Sequence, residues 1–358
     1  MTAQQSQTNQ QKEKYLISNP TGFFLDINDI AGLSQYLAQL DFLADNEELL
    51  KLEKPGEGNM NLVIRVITSH RSFIIKQSRP WVEKYPTIAA PSSRAQIEGL
   101  FYHTVSGIAP IQKRIPSLLA SDPNSNILIL EDLGATSDFT HLYNKGIDLK
   151  ADQADLLTDF LLQLHQQVNK ETTDKVITNL EMRKLNHEHI FHFPFLIDNG
   201  LDLDQFIPGL QAATSDLLAD GKLAERAEEI GKHYLADGNT LLHGDYYPGS
   251  WLNSEQTLYI IDPEFCFFGF KEFDLAVFLA HLILSNQPSS LIKRVIERYE
   301  NQMTIDISLV NAFVGTEILR RLIGVAQLPL ELDLKEKTDL MNTGRDLMLS
   351  SKTNVLNL

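Results

Sequence analysis

The sequence predicts an α+β protein of two lobes, with a small β-rich N-terminal lobe and a larger, mostly helical C-terminal lobe. Its 358 residues are enough for two lobes, each with a core of its own. Short apolar runs bounded by turn residues predict strands before residue 134, whereas apolar residues at helical spacing dominate beyond it. We therefore expect a polar, disordered tail over residues 1–14, a first lobe over 15–133 and a second over 134–358.

Composition is that of an ordinary globular protein, with 43% apolar and 22% charged residues. The formal net charge is −16, and no basic face for nucleic acid is evident. The single cysteine, Cys266, excludes intrachain disulfides and multi-cysteine zinc sites. No targeting segment is evident, and no apolar run is long enough to span a bilayer. We expect a cytoplasmic protein with neither nucleic-acid nor membrane partners.

The first lobe opens with a helical pattern and continues mostly in strand patterns. In order, the predicted elements are helix 28–43, a glycine-containing turn and strand over 52–66, strand 72–77, loop 79–93, helix 94–102, and strands 116–121 and 126–130. The chain then passes through the acidic turn at Glu131 and Leu133. We interpret this turn as a hinge whose backbone suits pairing with an adenine edge.

One hairpin of this lobe has the order of residues used to hold a nucleotide. Its turn carries Gly58, and its next strand carries Lys76. A turn that approaches phosphates through backbone N–H groups, followed by a lysine on the next strand, is the nucleotide grip of kinase-like lobes. Glu98, on the following helix, is placed to reach back to Lys76. Taken singly, such turns are usually plain hairpins, and such lysines and glutamates are usually solvated.

The second lobe is read mainly as helices. The predicted helices cover residues 152–168, 210–234, 290–302, 308–327 and 335–350, with a further buried helix after Asp274. Asp274 is expected to cap that helix. His165 is expected to be a satisfied core residue. The spacing of His187 and His189 matches no zinc signature, so aromatic packing at a helix start is favoured there.

Two apolar runs in this lobe end in a carboxylate on a Gly/Pro-rich loop, one at Asp245 and one at Asp262. If these runs are neighbouring strands, their ends bring both carboxylates together, as phosphoryl transfer requires. Pro263 favours an extended Asp262, so Asp262 and Glu264 would point the same way and share one magnesium ion. We expect the carboxyl oxygens of all three acids to meet at one point. The alternative is a pair of surface turns with solvated acids.

A pair of arginines, Arg320 and Arg321, interrupts an otherwise apolar helical pattern. Adjacent residues on a helix diverge by about 100°. We therefore expect one arginine to face a cleft and its neighbour to face elsewhere. The alternative is a solvated pair over the rim of the core.

These residues, in this order, resemble the aminoglycoside phosphotransferase and choline kinase superfamily. Within it, the match is closer to methylthioribose kinases, and the resemblance runs over residues 57 to 345. The matching runs are Gly58-Asn59-Met60-Asn61-Leu62-Val63, Lys76-Gln77, His243-Gly244-Asp245, Asp262-Pro263-Glu264-Phe265, Phe273-Asp274 and Arg320-Arg321-x-x-Gly324-x-Ala326. The resemblance implies a two-lobed protein-kinase-like fold that phosphorylates a sugar hydroxyl, with ATP and Mg²⁺ as cofactors.

The resemblance also implies a role for each matching residue. Asp245 would be the catalytic base, and Asp262 and Glu264 would bind Mg²⁺. ATP would be bound by Gly58, Asn59, Asn61, Lys76, Glu98, Glu131 and Leu133. The substrate would be contacted by Tyr246, Tyr247, Ser250, Arg320 and Arg321.

The loop after Asp245 departs from the family pattern. Tyr246-Tyr247-Pro248 stands where methylthioribose kinases have leucine-histidine-threonine, whereas Ser250 matches them and replaces the metal-binding asparagine of the wider superfamily. The expected small-molecule acceptor is methylthioribose or a related furanose. A choline-like or aminoglycoside-like cation is the alternative, favoured by the net charge and disfavoured by the twin arginines. An inactive nucleotide- or metabolite-binding relative is the alternative of another class. Oligomeric state is left open, with a homodimer as one option.

Overall fold

The computed structural model describes residues 3–56, 58, 60–254 and 257–350, and the side chains of 8–56 within the first range. The chain forms two compact units. The first comprises residues 1–106 and 115–135, and the second comprises residues 107–114 and 136–358. The assignment of residues 107–114 to the second unit has no signal in the sequence.

The first unit is built on a five-stranded antiparallel sheet with strand order β1-β2-β3-β5-β4. The strands are β1 (Leu49–Glu53), β2 (Leu62–Thr68), β3 (Ser72–Gln77), β4 (Leu118–Asp122) and β5 (Ile127–Glu131). Every second residue of β2 is buried, as its alternating pattern predicted. These residues pack with the buried face of a helix, α2 (Ile30–Gln39), through Leu33 and Leu37. A further helix, α3 (Arg94–Val105), belongs to the same unit.

The N-terminal segment differs from the disordered tail expected over residues 1–14. A helix, α1, covers Ala3–Ser18, while residues 1 and 2 lie outside the described part. Tyr15 is fully buried; its hydroxyl donates to the Ser125 carbonyl at 2.8 Å and accepts from the Gln77 amide at 3.2 Å. A single aromatic anchor in a polar run leaves no periodic signal, which is why the sequence pattern misses this helix.

Residues 79–93 form a loop, as predicted, but the loop is fastened to the unit. Trp81 is fully buried and Arg79 nearly so. The buried guanidinium of Arg94 donates to the carbonyl oxygens of Pro91 at 2.7 Å and Met60 at 2.9 Å. These contacts tie the loop to the turn that precedes β2.

The second unit is mostly helical. Its helices are α4 (Ala109–Gln112), α5 (Ala151–Gln167), α6 (Leu180–His187), α7 (Leu210–Leu218), α8 (Lys222–Leu235), α9 (Glu272–Leu284), α10 (Ser289–Glu300), α11 (Ile307–Ile323) and α12 (Leu334–Leu349). The single helix predicted over 210–234 is divided into α7 and α8 at Gly221, whose φ of +72° is a left-handed conformation that ends a helix. Among the described helices, none has both the length and the apolar character needed to cross a bilayer.

Short strands carry the two apolar runs that precede Asp245 and Asp262. The run before Asp245 forms β7 (Thr240–Leu242), and the run before Asp262 forms β9 (Leu258–Ile260). The other short strands of this unit are β6 (Ser137–Asp138), β8 (Trp251–Asn253) and β10 (Phe267–Gly269). Both runs are strands, as predicted, but they are not neighbours. β7 pairs with β10, and β9 pairs with β8. Strands of three residues carry too little pattern to specify their partners.

Candidate active site

In the first unit, the predicted pair of Lys76 and Glu98 is present. Lys76 lies on β3 and Glu98 on α3, with 2.7 Å between Lys76 Nζ and Glu98 Oε2. Only 3% of the lysine side chain and none of the glutamate side chain are exposed. A buried pair of this kind fixes the ammonium group in one place, because leaving either charge alone in the interior is costly.

The turn before β2 is fixed from within the unit. The side-chain oxygen of Asn61, predicted to bind ATP, accepts hydrogen bonds from Arg94 Nη2 at 2.8 Å and Nε at 3.2 Å. Asn61 is only 3% exposed, so in this structure its side chain stabilises the turn. A side chain at Gly58 would meet the Asn61 carbonyl at 2.9 Å. Asn59 lies outside the described residues.

The predicted hinge after β5 is held by an ion pair that the sequence analysis did not identify. The Asp132 carboxylate pairs with the Arg65 guanidinium, with Oδ2 2.9 Å from Nε and Oδ1 3.0 Å from Nη2. The carboxylate of Glu131 faces its neighbouring strand and accepts from the Ser117 amide and hydroxyl. Leu133 is half-buried. The Glu131 side chain is therefore occupied by Ser117 of the same unit. If Glu131 and Leu133 bind a nucleotide, they would do so through their backbone groups.

In the second unit, the loop that carries Asp245 is held by the carboxylate of Asp274. Asp274 Oδ2 accepts from the His243 backbone N–H at 2.6 Å, and Oδ1 accepts from the Gly244 N–H at 2.9 Å. The prediction that Asp274 caps α9 is wrong. Asp274 lies inside the first turn of the helix, and its oxygens accept hydrogen bonds from the backbone of the loop instead. Charge-assisted hydrogen bonds of this kind place a loop firmly.

A histidine and a tyrosine support Asp274 in turn. His165 Nε2 lies 3.2 Å from Asp274 Oδ2, and His165 Nδ1 lies 2.6 Å from Tyr299 Oη. Because an ionised carboxylate can only accept hydrogen bonds, His165 donates one to Asp274 from Nε2. Its Nδ1 then accepts the hydrogen bond that the Tyr299 hydroxyl donates. The expectation that His165 is a satisfied core residue is confirmed. Its partner is the residue that holds the Asp245 loop.

The Asp245 loop packs directly on the segment that carries Asp262 and Glu264. Gly244 has a φ of +85°, and a side chain there would meet the Phe265 carbonyl at 2.2 Å, so only glycine fits. His243 Nε2 donates to the Ile261 carbonyl at 3.0 Å. Two segments that are separate in sequence are thereby held together by a close backbone approach and a side-chain-to-backbone hydrogen bond.

The predicted extended conformation of Asp262 is wrong. Its φ is +62° and ψ +50°, and a 3₁₀ turn covers Pro263–Phe265. The preference that proline imposes on its predecessor is weaker than the tertiary constraint here: the amide of Asn179 holds the Glu264 and Cys266 carbonyls at 3.0 and 3.1 Å. The reasoning that Asp262 and Glu264 point the same way as i and i+2 of a strand therefore does not apply.

The carboxylates of this unit have the chemistry of a magnesium site. The described residues include no group of three or more Asp, Glu, His or Cys side chains placed to hold one metal ion. Asp245, Asp262 and Glu264 therefore form no three-carboxylate metal site, and their meeting at one point stays a prediction. Glu264, which is 4% exposed, is close enough for its charge to raise the pKa of Asp245. A cation bound at Glu264 would relieve this repulsion, and a buried carboxylate is a suitable Mg²⁺ ligand.

Both Arg320 and Arg321 point toward Asp245, whereas only one of them was expected to face the cleft. Arg321 Nη2 lies 3.6 Å from Asp245 Oδ1, and Arg320 Nη2 lies 3.9 Å from the same oxygen. Each also pairs through Nε with Glu317, one turn earlier on α11. The expectation that the arginines face different ways is wrong, because long side chains on adjacent positions converge on a shared carboxylate.

The residues after Asp245 divide between the core and the site. Tyr246 is fully buried, donates to the Leu157 carbonyl at 2.9 Å and stacks on Phe160, so its predicted substrate contact is wrong. Ser250 is 2% exposed and its hydroxyl donates to the Asp245 carbonyl at 2.9 Å, which supports the loop. Tyr247 is half-buried, and its ring lies 4.9 Å from the Arg321 guanidinium. Of the three, Tyr247 is the one that the structure places beside the arginines.

The electrostatics of Asp245 are those of a base poised near neutrality. Burial raises its pKa to about 6, the charges of Arg321 and Arg320 oppose this rise, and Glu317 and Glu264 add to it. About a quarter of the side chain is exposed, so the carboxylate remains reachable. Perturbed carboxylates with a specific charged partner are frequent at catalytic sites.

Glu317 was absent from the predicted site. A weak signal for it exists in the sequence, since a glutamate three and four positions before the twin arginines lies on their face of the helix.

Comparison with known proteins is consistent with this geometry. The sequence profile of the phosphotransferase enzyme family matches residues 51–307. The chain is 26% identical to a methylthioribose kinase of Geobacillus sp. (strain WCH70). The alignment is 357 positions long and includes 83% of the chain and 86% of that kinase. A methylthioribose kinase of Geobacillus thermodenitrificans (strain NG80-2) is 26% identical over 336 residues, covering 79% and 81%.

A solved structure shares the fold. It is the choline kinase LicA from Streptococcus pneumoniae, with a TM-score of 0.51 at 15% identity over 88% of this chain and 97% of that one. At this identity the likeness concerns the fold alone. The protein-kinase-like α+β fold that the sequence predicted is confirmed.

Proposed function

Because the chain belongs to the phosphotransferase enzyme family, we propose that it transfers the terminal phosphoryl group of ATP to a hydroxyl of a sugar-like metabolite. Family membership makes it a small-molecule kinase. The leading acceptor is methylthioribose or a related furanose, in line with the relatives that the chain resembles. The observation that carries the proposal is the Asp245 carboxylate facing two guanidinium groups at 3.6 and 3.9 Å.

Each side chain has a defined task in such a transfer. Asp245 accepts the hydrogen bond of the acceptor hydroxyl, orients it and takes its proton as the oxygen attacks the terminal phosphorus. The bond between that phosphorus and the bridging oxygen breaks, and ADP leaves. Arg320 and Arg321 present positive charge where the transferring oxygens carry negative charge. Lys76, fixed by Glu98, binds phosphate oxygens of ATP.

Asp262 and Glu264 are the residues that would hold magnesium. When bound, this ion supplies positive charge that neutralises the phosphate oxygens. Carboxylate oxygens are the ligands that Mg²⁺ prefers, and it commonly takes only one or two of them.

The direct test is ATP turnover with MgCl₂ over a panel of acceptors that includes methylthioribose, other furanoses and amino-alcohols such as choline. We expect ADP release that depends on a neutral sugar. Turnover with choline-like or aminoglycoside acceptors alone would favour the cationic alternative. Stabilisation against heat by ATP and Mg²⁺, without turnover on any acceptor, would contradict the kinase proposal.

The pKa of Asp245 predicts how activity depends on pH. The base works as a carboxylate, so kcat/KM for the acceptor at saturating ATP should rise as pH increases through about 6 and level off above it. At saturating ATP, this profile reports the ATP-bound enzyme before the acceptor binds. A rate profile from pH 4.5 to 8.5 measures it. A midpoint near 4, the ordinary value of an aspartate, would contradict the assignment of Asp245.

A further inference from the structure

Glu317 is a buried carboxylate that receives three charged or polar donors at once. It lies on α11 and is 2% exposed. Its Oε1 accepts from Arg321 Nε at 2.8 Å and from His281 Nε2 at 3.0 Å, and its Oε2 accepts from Arg320 Nε. Burial opposes its ionisation, but the charges of both arginines outweigh burial and keep its pKa well below the usual range. Glu317 is therefore an anion around neutral pH.

The pairing with Glu317 determines which edge of each guanidinium faces Asp245. Arg320 and Arg321 follow Glu317 by three and four positions, so all three side chains lie on one face of α11. Because the Nε edge of each arginine is bound to Glu317, the Nη2 atoms are the ones left toward Asp245. The planar fork of arginine makes this choice of edge a choice of direction.

A histidine and a tyrosine hold Glu317 from the other side. His281 is fully buried. Burial lowers its pKa to about 4 although the bond to Glu317 raises it. The neutral ring donates from Nε2 to Glu317 and accepts at Nδ1 from the Tyr143 hydroxyl at 2.7 Å. The Tyr247 ring contacts both groups that bind Glu317: it lies 5.3 Å from the His281 ring and 4.9 Å from the Arg321 guanidinium.

This chain has the same order of groups as the one behind the Asp245 loop. Tyr299, His165 and Asp274 fix the backbone that carries Asp245. Tyr143, His281 and Glu317 fix the arginines that face it. The base and its arginines are thus each placed by a buried tyrosine–histidine–carboxylate chain.

We propose that Glu317 is a positioning residue for the phosphoryl transfer: it holds Arg320 and Arg321 at a fixed stand-off from Asp245, so that the base stays open to the acceptor hydroxyl. The proposal rests on the proposed function. Without Glu317, both guanidinium groups would close on the remaining carboxylate, Asp245, as direct ion pairs. The base would then be occupied and the arginines displaced from the transferring phosphoryl group.

The test is Glu317→Gln, which keeps the shape of the side chain and removes its charge. We expect kcat to fall about 10- to 100-fold, the scale of a displacement of about 1 Å at a reacting centre, with the KM for ATP unchanged. We also expect the midpoint of the pH profile to move below that of wild type, because the charge of Glu317 raises the pKa of Asp245. Lost charge alone would also lower this midpoint, so positioning is measured by the fall in kcat at pH values well above the midpoint, where Asp245 is ionised in both proteins.

The matched control is Glu47→Gln. Glu47 is also a buried glutamate bound to an arginine, with Arg71 Nε at 3.0 Å and the Thr68 hydroxyl at 2.8 Å, but it lies in the first unit. We expect it to lower the melting temperature without moving the pH midpoint. An unchanged kcat in folded Glu317→Gln would overturn the proposal, whether or not the midpoint moves.

Two further measurements keep the result interpretable. If Glu317→Gln does not fold, Tyr143→Phe removes only the far hydroxyl, and we expect kcat to fall about 2- to 10-fold, the scale of one hydrogen bond; an unchanged kcat would count against positioning. If wild type shows no turnover at all, the proposed function fails. Crystal structures of wild type and Glu317→Gln then decide positioning alone: arginines that stay in place without Glu317 refute it.

Discussion

Asp245→Asn is expected to lower kcat about 10²- to 10⁴-fold, the contribution of a positioned general base. Asparagine has the shape of aspartate, but its amide carries no negative charge and accepts a proton far less readily. The fold should persist, because Arg320 and Arg321 keep Glu317 as a partner. ADP release with the preferred acceptor measures the effect.

The control for this substitution is Asp220→Asn. Asp220 lies in the same unit, but 57% of its side chain is exposed, and it pairs with the similarly exposed Lys222, two positions on. Its loss should leave kcat unchanged, since exposed pairs contribute little. Full turnover by Asp245→Asn would refute the role of Asp245 as the base.

Replacing both Arg320 and Arg321 by alanine is expected to lower kcat/KM for a neutral sugar by about 10³-fold or more, the scale reported for arginines that stabilise a transferring phosphoryl group. A cationic acceptor would respond differently, because two guanidinium groups at the base repel it. A kinase of choline-like acceptors should therefore lose much less activity, because relief of this repulsion offsets part of the lost phosphoryl stabilisation. Rates with both acceptor classes separate the two candidate functions.

The double substitution also has a cost in stability that must be measured beside activity. It leaves the Asp245 and Glu317 carboxylates without their arginines, and breaking a buried ion pair costs about 3–5 kcal/mol. The matched control is Arg294→Ala with Arg298→Ala, a second arginine pair that binds Asp155 and Asp159 at 2.7 Å on a half-exposed surface. That control should cost about 1 kcal/mol or less per pair and leave turnover intact. Equal loss of activity in both variants would mean that unfolding, and not lost charge, is responsible.

Local patterns in the sequence were sufficient for several parts of the molecule. The alternation of β2 and the apolar run of β3 identify two strands of the sheet, and the lysine on β3 meets Glu98 as predicted. These features are set by residue type and spacing within one element, or by pairings that opposite charges enforce when both are buried.

Other features depend on contacts between segments that are far apart in sequence. Asp274 has the position of a helix cap, yet it holds the His243–Gly244 backbone. Tyr246 and Tyr247 are adjacent tyrosines, yet one is core and the other lies beside Arg321. Short loops have no periodicity, so nothing local records which way their side chains point.

The sequence by itself determined the fold class and most of the elements, because these follow from composition and periodicity. Only the tertiary structure decided the left-handed backbone of Asp262, the joint approach of both arginines to Asp245, and the place of Glu317 and His281 behind them. The physical reason is that a buried polar group must find partners wherever the fold brings them, and those partners are chosen by packing across the whole unit.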